Sequence, residues 1–343
     1  MTNYLFIGGA GHSGTTMLDH IFSSHSSSIG AKGESRIADS LELFEKDYFN
    51  VKDPEKRLEF ISNAIYFGYN FKKKEYTTEA KEKSPFYISS FPKNQLVGDF
   101  CKDVKSVIDY NLQEKEKSLF VEKTPSNVHH IKNVLKIVPN AKILIIHRDV
   151  RDVVASLKKR FLTLKKNPRE FSHNLETKKL DKDYNLIIDS YLWAKAVKAT
   201  NSKNENIKVI KYEEFVNNPE IFLREICAWL EIEFESQMLN LKSRNSSDLA
   251  LKNSQGVSNK SVGGYKKVFS SKELHLIQKY SSDQMTNLGL ELENISISSK
   301  AGSFFLEVKE YSKIGIRVFK RVALMDKKYV VQFGKNLIKK IRA

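Results

Sequence analysis

Tyr4-Leu5-Phe6-Ile7-Gly8-Gly9-Ala10-Gly11-His12-Ser13-Gly14-Thr15-Thr16 is the stretch that decides the fold of this chain. Four apolar residues make a run short enough to be a buried strand, and a glycine-rich turn follows at once. Met17, Leu18, Ile21 and Phe22 then fall on one helical face. Strand, glycine turn and helix N-terminus in succession build an anion site. The backbone N–H groups of the turn and the positive end of the helix dipole point at the same ligand. Gly11, His12, Ser13, Gly14, Thr15 and Thr16 are the residues of that cradle.

Three anions compete for it. Gly9, Gly11 and Gly14 fit a dinucleotide fingerprint, with Glu34 at the distance expected of a ribose-binding acid. Gly9 and Gly14 followed by Thr15-Thr16 also fit the P-loop of a kinase or NTPase. That chemistry needs a lysine on the β- and γ-phosphates, and Thr15 stands in its place. The third reading keeps the cradle without the lysine and gives it to a 5′-phosphosulfate held by amides and by the hydroxyls of Ser13, Thr15 and Thr16.

Composition narrows the class. With 343 residues and 41% hydrophobic content the chain is long enough for one large α/β domain or for one domain plus an appendage. No apolar run approaches the length of a membrane span. The N-terminus enters a strand directly, so no signal peptide is expected. Cys101 and Cys227 have neither a disulfide pattern nor metal-ligand spacing, which suits a reducing cytoplasm, and no metal is expected. They read as small buried hydrophobes. The net charge of +16 favours an anionic partner without saying which. A basic protein that merely binds nucleic acid or acidic glycans would explain the charge. It would not explain the ordered polar motifs at strand ends, and no nucleic-acid partner is expected.

Those motifs recur along the chain. Residues 38–118 read as helical and polar, with Asp53-Pro54-Glu55 as a helix start. The charged run Lys72 to Lys83 reads as a solvated face, and Ser84 to Pro92 as a loop. Ser118-Leu119-Phe120-Val121 is a second strand, ending in Glu122-Lys123-Thr124-Pro125. Ala141 to Ile146 is a near-continuous apolar run typical of a central parallel strand. It runs into His147-Arg148-Asp149 and a helix. Ser156 and Arg160 share a face of that helix, and Arg148 can fold back toward them to hold a second phosphate. Ile207 to Tyr212 is a further strand, and Asn218-Pro219-Glu220 starts the next helix. Residues 243–264 read as a loop containing Lys260, and Ser270 with Glu273 marks another helix start. Alternating strands and helices predict a three-layer α/β fold, its central, mostly parallel sheet flanked by helices.

With these motifs in order, the chain resembles the sulfotransferases that use 3′-phosphoadenosine 5′-phosphosulfate (PAPS). The likeness covers roughly residues 4–290, while 38–118 matches nothing specific. The Gly-x-x-Ser-Gly-Thr-Thr turn resembles that family's 5′-phosphosulfate loop. Ile146-His147-Arg148-Asp149 with Ser156 is similar to its 3′-phosphate motif, and Tyr212-Glu213-Glu214 with Asn218-Pro219 to a later segment. Lys260 with Gly264-Tyr265-Lys266-Lys267 is similar to its C-terminal cofactor loop. The nearest likeness is to the protein-tyrosine and carbohydrate enzymes. Gly33-Glu34-Ser35-Arg36 resembles a segment whose glutamate is the base, and Glu122-Lys123-Thr124-Pro125 a motif many of them share. His12 stands where the family often has arginine.

The resemblance implies a P-loop NTPase-like fold and sulfuryl transfer from PAPS, the co-substrate, to an acceptor hydroxyl. The acceptor is a carbohydrate first, then peptide tyrosine or lipid. Residues 11–16 would hold the phosphosulfate, and Arg148, Ser156 and Arg160 the 3′-phosphate, with Tyr212 and Lys260 closing over the cofactor. Glu34 would be the base and Lys123 would stabilise the leaving group, with His12 and His130 as alternative bases. In domain terms, residues 1–300 form the catalytic unit, carrying the helical segment 38–118 on the acceptor side, and 301–343 form a basic extension. Residues 303–343 hold eleven Lys/Arg against three Asp/Glu. Two readings stand for that extension. It is either one or two amphipathic helices packed on the domain, or an attachment to an anionic membrane surface, which would be the inner face.

Overall fold

The computed structural model describes residues 2–31, 33–67, 84, 86–166, 184–200, 204–240 and 256–323. Within them lies a five-stranded sheet of β1 (Asn3–Gly9), β2 (Ser28–Gly30), β3 (Leu119–Lys123), β4 (Lys142–His147) and β5 (Ile207–Lys211). The strand order is β2-β3-β1-β4-β5, and every neighbouring pair is parallel. A parallel sheet is covered on both faces, which is why β1 and β4 are apolar almost without a break. Successive side chains of β1 part to opposite faces. Tyr4 and Phe6 enter one core cluster, and Leu5 and Ile7 the other.

The Leu5–Ile7 face is closed by α1 (Thr15–Ser23) and by two later helices, Tyr212–Asn217 and Pro219–Trp229. The Tyr4–Phe6 face carries the larger layer: α2 (Leu41–Phe49), α3 (Pro54–Phe67), α4 (Phe100–Glu114), α5 (Ile131–Ile137), α6 (Val150–Lys166) and α7 (Leu186–Lys198). Numbering continues with α8 (Tyr212–Asn217), α9 (Pro219–Trp229), α10 (Ser271–Lys279), α11 (Ser282–Asn287) and α12 (Ile297–Ala323). The three-layer parallel architecture matches the expectation. So do the helix starts: Pro219 opens α9, and Ser270 with Glu273 forms a complete capping box on α10.

Two features differ from the reading of the sequence. The edge strand β2 has no counterpart among the strands read from the sequence. It is three residues long and half-buried, so it has no apolar run to betray it, and its pairing with Leu119–Val121 alone defines it. The described parts of 38–118 are largely helical as expected, but the inward face of these helices is aromatic rather than polar. Phe44 stacks on Phe100 with ring centres 5.3 Å apart, and Tyr48 and Phe60 pack edge-on around them. The buried Asp103 fixes this layer by accepting hydrogen bonds from Tyr48 Oη at 2.7 Å and from the Val97 and Gly98 amides at 2.8 Å. The lysine run 72–83 and most of the loop expected at 243–264, residues 243–255, lie outside the described residues.

Sheet order positions the site. β1 is central, so its glycine turn opens between the carboxyl ends of β3 and β4. Ile7 is level with Lys123 on one side, and Gly9 with Ile146, just before His147 and Arg148, on the other. Ligands of open α/β sheets bind at this edge. Because Phe44 shares the core of the sheet face, Phe44→Ala should destabilise the whole chain by about 3–5 kcal/mol. Urea unfolding followed by both far-ultraviolet dichroism and tryptophan fluorescence should show one shifted transition. A separate early transition with the sheet unaffected would instead make 41–114 an independent unit.

Candidate functional site

The turn after β1 is built tightly. Gly14 caps α1 with φ 105°, and a Cβ there would stand 2.8 Å from Cδ2 of Tyr212. Only glycine allows both the left-handed backbone and the close ring. His12 also has positive φ, at 65°, a conformation few side-chain-bearing residues adopt. Ser13 is fully buried and its hydroxyl has no protein partner. Thr15 is buried, Thr16 half-buried and Gly11 exposed at the tip of the turn. A buried unpartnered hydroxyl beside a helix N-terminus is what an anion-binding turn offers its ligand.

On the β4 side the cradle meets a cationic cluster. His12 Nδ1 and Ser156 Oγ share a hydrogen bond of 2.9 Å across 144 residues of sequence. Arg148 donates to the His12 carbonyl at 3.3 Å and to the Ser261 carbonyl at 2.8 Å, and stacks its guanidinium 4.4 Å from the ring centre of Tyr212. Its Nε is buried without a partner. Tyr212 Oη and Ser261 Oγ are 2.9 Å apart, closing the ring of contacts. Burial pushes the His12 imidazole down to about 4, and the charges of Arg160 and Arg148 push it the same way. His12 is therefore neutral near pH 7. The cluster brings together the Arg148 guanidinium, the nearby Arg160 charge, a neutral imidazole and hydroxyls, donor types that suit a phosphate.

Carboxylates to which the sequence reading gave no role hold this end together. Asp152, in the first turn of α6, accepts the amides of Gly263 at 2.7 Å and Tyr265 at 2.9 Å, fixing the C-terminal loop over the site. Glu213 accepts the Asp149 amide at 2.9 Å, tying the end of β4 to that of β5. Arg151 forms a close ion pair with Asp149 and lies over the Tyr265 ring. Trp193 donates from Nε1 to the Arg148 carbonyl at 2.8 Å. Burial raises the carboxyls of Asp152 and Glu213, against the pull of Arg148 and of the amides they accept.

On the β3 side stands a different group. Lys123 Nζ is 2.9 Å from Glu34 Oε1, the lysine almost wholly buried and the glutamate side chain 47% exposed. Behind them Glu122 is a buried carboxylate saturated with donors. Its Oε1 accepts Thr124 Oγ1 at 2.6 Å and Ser35 Oγ at 2.7 Å, and its Oε2 accepts Asn127 Nδ2 at 2.7 Å. It thereby locks the Glu34-bearing loop to the end of β3. Asp19, one turn into α1, is a further acid the sequence did not flag. Burial pushes it up to about 6, while the Lys123 charge pulls it down and the Glu122 and Glu34 charges raise it. The rim continues through Arg36, paired with Asp39 at 2.8 Å, to His130, 3.2 Å from the same Asp39.

The expected site residues thus gather at the two ends of one turn, with one exception. Lys260 is exposed, and among the described residues its ammonium touches nothing in the cluster. Its neighbour Ser261 makes the contacts instead. The ring of His12 lies in the arginine cluster, bonded to Ser156.

The model of the sulfotransferase family matches residues 5–236. The chain belongs to that family. Its fold is similar to that of the sulfotransferase domain from the Synechococcus PCC 7002 olefin synthase, at 13% identity and TM-score 0.51, covering 85% of this chain and 96% of that one. A sulfotransferase domain from the curacin biosynthetic pathway aligns with TM-score 0.48 at 15% identity, covering 85% of this chain and 99% of that one. A mouse sulfotransferase complexed with PAP aligns with TM-score 0.42 at 14% identity, covering 83% and 85%. No curated protein sequence matches the chain significantly.

The electrostatics of His12 can be tested directly. Nuclear magnetic resonance titration should give it a midpoint near about 4, and Arg160→Gln should raise that midpoint by removing a neighbouring cation. A midpoint at the ordinary imidazole value of about 6.5 would contradict the enclosed geometry.

Proposed function

We propose that this chain transfers the sulfuryl group of PAPS to a hydroxyl of a carbohydrate acceptor. The observation that carries the proposal is the division of the site across β1. An anion cradle lies in the middle, a second phosphate-type donor set lies on the β4 side, and a lysine–carboxylate pair lies on the β3 side. A dinucleotide or P-loop kinase reading gives no use to the donor set of Arg148, Ser156 and Arg160, and a kinase would lack its lysine.

The fit is supported by groups with unused donors. The Ser13 hydroxyl and Arg148 Nε are buried without partners, in the cradle and in the cluster respectively. Ser13, Thr15, Thr16 and the turn amides would hold the phosphosulfate. Arg148, Arg160 and Ser156 would hold the 3′-phosphate, with the neutral imidazole of His12 fixing Ser156. Tyr212 closes over Gly14. Bound PAPS supplies the activated sulfuryl group and departs as 3′,5′-adenosine bisphosphate.

The chain's part in the chemistry is positioning and charge. Glu34 takes the proton from the acceptor hydroxyl as its oxygen bonds to sulfur. Lys123 donates to the bridging oxygen, where charge develops as the sulfur–oxygen bond breaks. Glu122 keeps both in register by holding Ser35 and Thr124. The proposal takes Glu34 over His12 and His130 as base. His12 is committed to Ser156, and His130 is paired with Asp39. The acceptor proposal rests on the rim, where Asp19, Glu34, Arg36, Asp39 and His130 offer donors and acceptors suited to neighbouring sugar hydroxyls rather than to an aromatic ring.

Radiolabelled sulfate transfer from PAPS to a panel of glycans, tyrosyl peptides and hydroxyl lipids tests this reading. Label is expected in glycans, and label in peptides or lipids alone would overturn the acceptor assignment. Glu34→Gln should lower kcat about 10²–10⁴-fold with little change in KM for PAPS. Arg160→Ala should raise that KM about tenfold or more. An unchanged kcat in Glu34→Gln would remove Glu34 from the base role.

A further inference from the structure

We propose that α12 is an interfacial helix that lays its exposed aromatic face on an anionic lipid surface. The inference is independent of the reaction assigned above.

The helix turns its side chains the opposite way from a packed amphipathic helix. Ser303, Leu306 and Glu310 face the domain, where α12 lies along α10 and Asn185 Nδ2 donates to the Glu310 carbonyl at 3.1 Å. Phe304 and Val308 share the outer face at i and i+4, with Phe305 and Ile316 beside them and Tyr311 at its margin, where its hydroxyl meets Tyr280 Oη at 2.8 Å. Phe305 is 79% exposed and Phe304 61%, their rings edge-to-face at 5.7 Å. A pair of neighbouring phenylalanines left in water next to further apolar residues marks an interaction surface rather than scattered exposure.

Charge is segregated in the same sense. Glu307 and Glu310 are turned inward and paired, with Lys279 and Lys313 respectively. Lys300 and Lys309 are exposed, one on each flank of the aromatic stripe. The sequence from 317 onward adds nine Lys/Arg and one Asp. Acids inward, aromatics outward and lysines at the margins is the charge arrangement that suits an interfacial helix on anionic headgroups, with lysine stems reaching from the apolar stripe to the phosphates. No helix among the described residues is long and apolar enough to cross a membrane, so the contact is a peripheral one.

The test is co-sedimentation of the full chain with phosphatidylcholine vesicles, with and without phosphatidylglycerol. Wild type should partition onto the phosphatidylglycerol vesicles and release at high salt. Phe304→Ser with Phe305→Ser should weaken partition by about tenfold or more, because these rings supply the buried apolar area. Lys300→Glu with Lys309→Glu replaces only exposed side chains and should weaken it similarly, so the result survives if the phenylalanine variant fails to fold. Unchanged partition in both variants, equal binding to pure phosphatidylcholine, or no binding to either vesicle would overturn the proposal. So would light scattering that shows wild type as a dimer which the phenylalanine variant dissociates, since the face would then belong to a second copy.

Discussion

The guanidinium of Arg148 joins the segments that build the cationic end of the site. It reaches the carbonyl of His12 in the β1 turn and that of Ser261 in the C-terminal loop, and it lies over the ring of Tyr212 at the end of β5. Trp193 on α7 fixes its backbone from below. Three stretches far apart in sequence are thereby held to one charge, and a fourth to its backbone. That charge sits in a largely buried setting, and its Nε is buried without a hydrogen-bond partner.

The parallel sheet makes this arrangement inevitable once β1 is central. A turn at the end of the middle strand has neighbours on both sides, and here they differ in chemistry: arginines and a neutral histidine toward β4, a lysine and carboxylates toward β3. Each end has its own buried acid in support. Asp152 holds the loop that carries Ser261, and Glu122 holds the loop that carries Glu34. In the proposed reaction the first end anchors the nucleotide and the second performs proton transfer and stabilises the leaving oxygen. A rigid sheet edge then sets the distance between them.

Much of this was legible in the sequence because it is local. The strand–turn–helix at residues 4–22, the apolar runs of β3, β4 and β5, and the Arg148–Ser156–Arg160 spacing each lie within a short window. The illegible parts are long-range or subtle. Nothing near His12 tells that its imidazole meets Ser156, 144 residues away. Asp152 and Glu122 look like ordinary acids until the amides and hydroxyls they accept are seen. β2 is too short and too polar to show a period, and the aromatic face of 41–114 is diluted by the lysines and glutamates of the same helices. In α12 the amphipathic pattern was plain, but which face turns outward is set by the small and paired residues that meet α10, and no hydrophobic count reveals that.

The central claim is that the β4 side of the turn is a second phosphate site. Calorimetric titration of the full chain with 3′,5′-adenosine bisphosphate and, separately, with adenosine 5′-monophosphate measures it most directly. The account predicts that the bisphosphate binds at least about tenfold more tightly, the increment expected of one added charge-assisted contact, and that Arg148→Ala erases the difference. Equal affinity for the two nucleotides in the wild-type protein would contradict it.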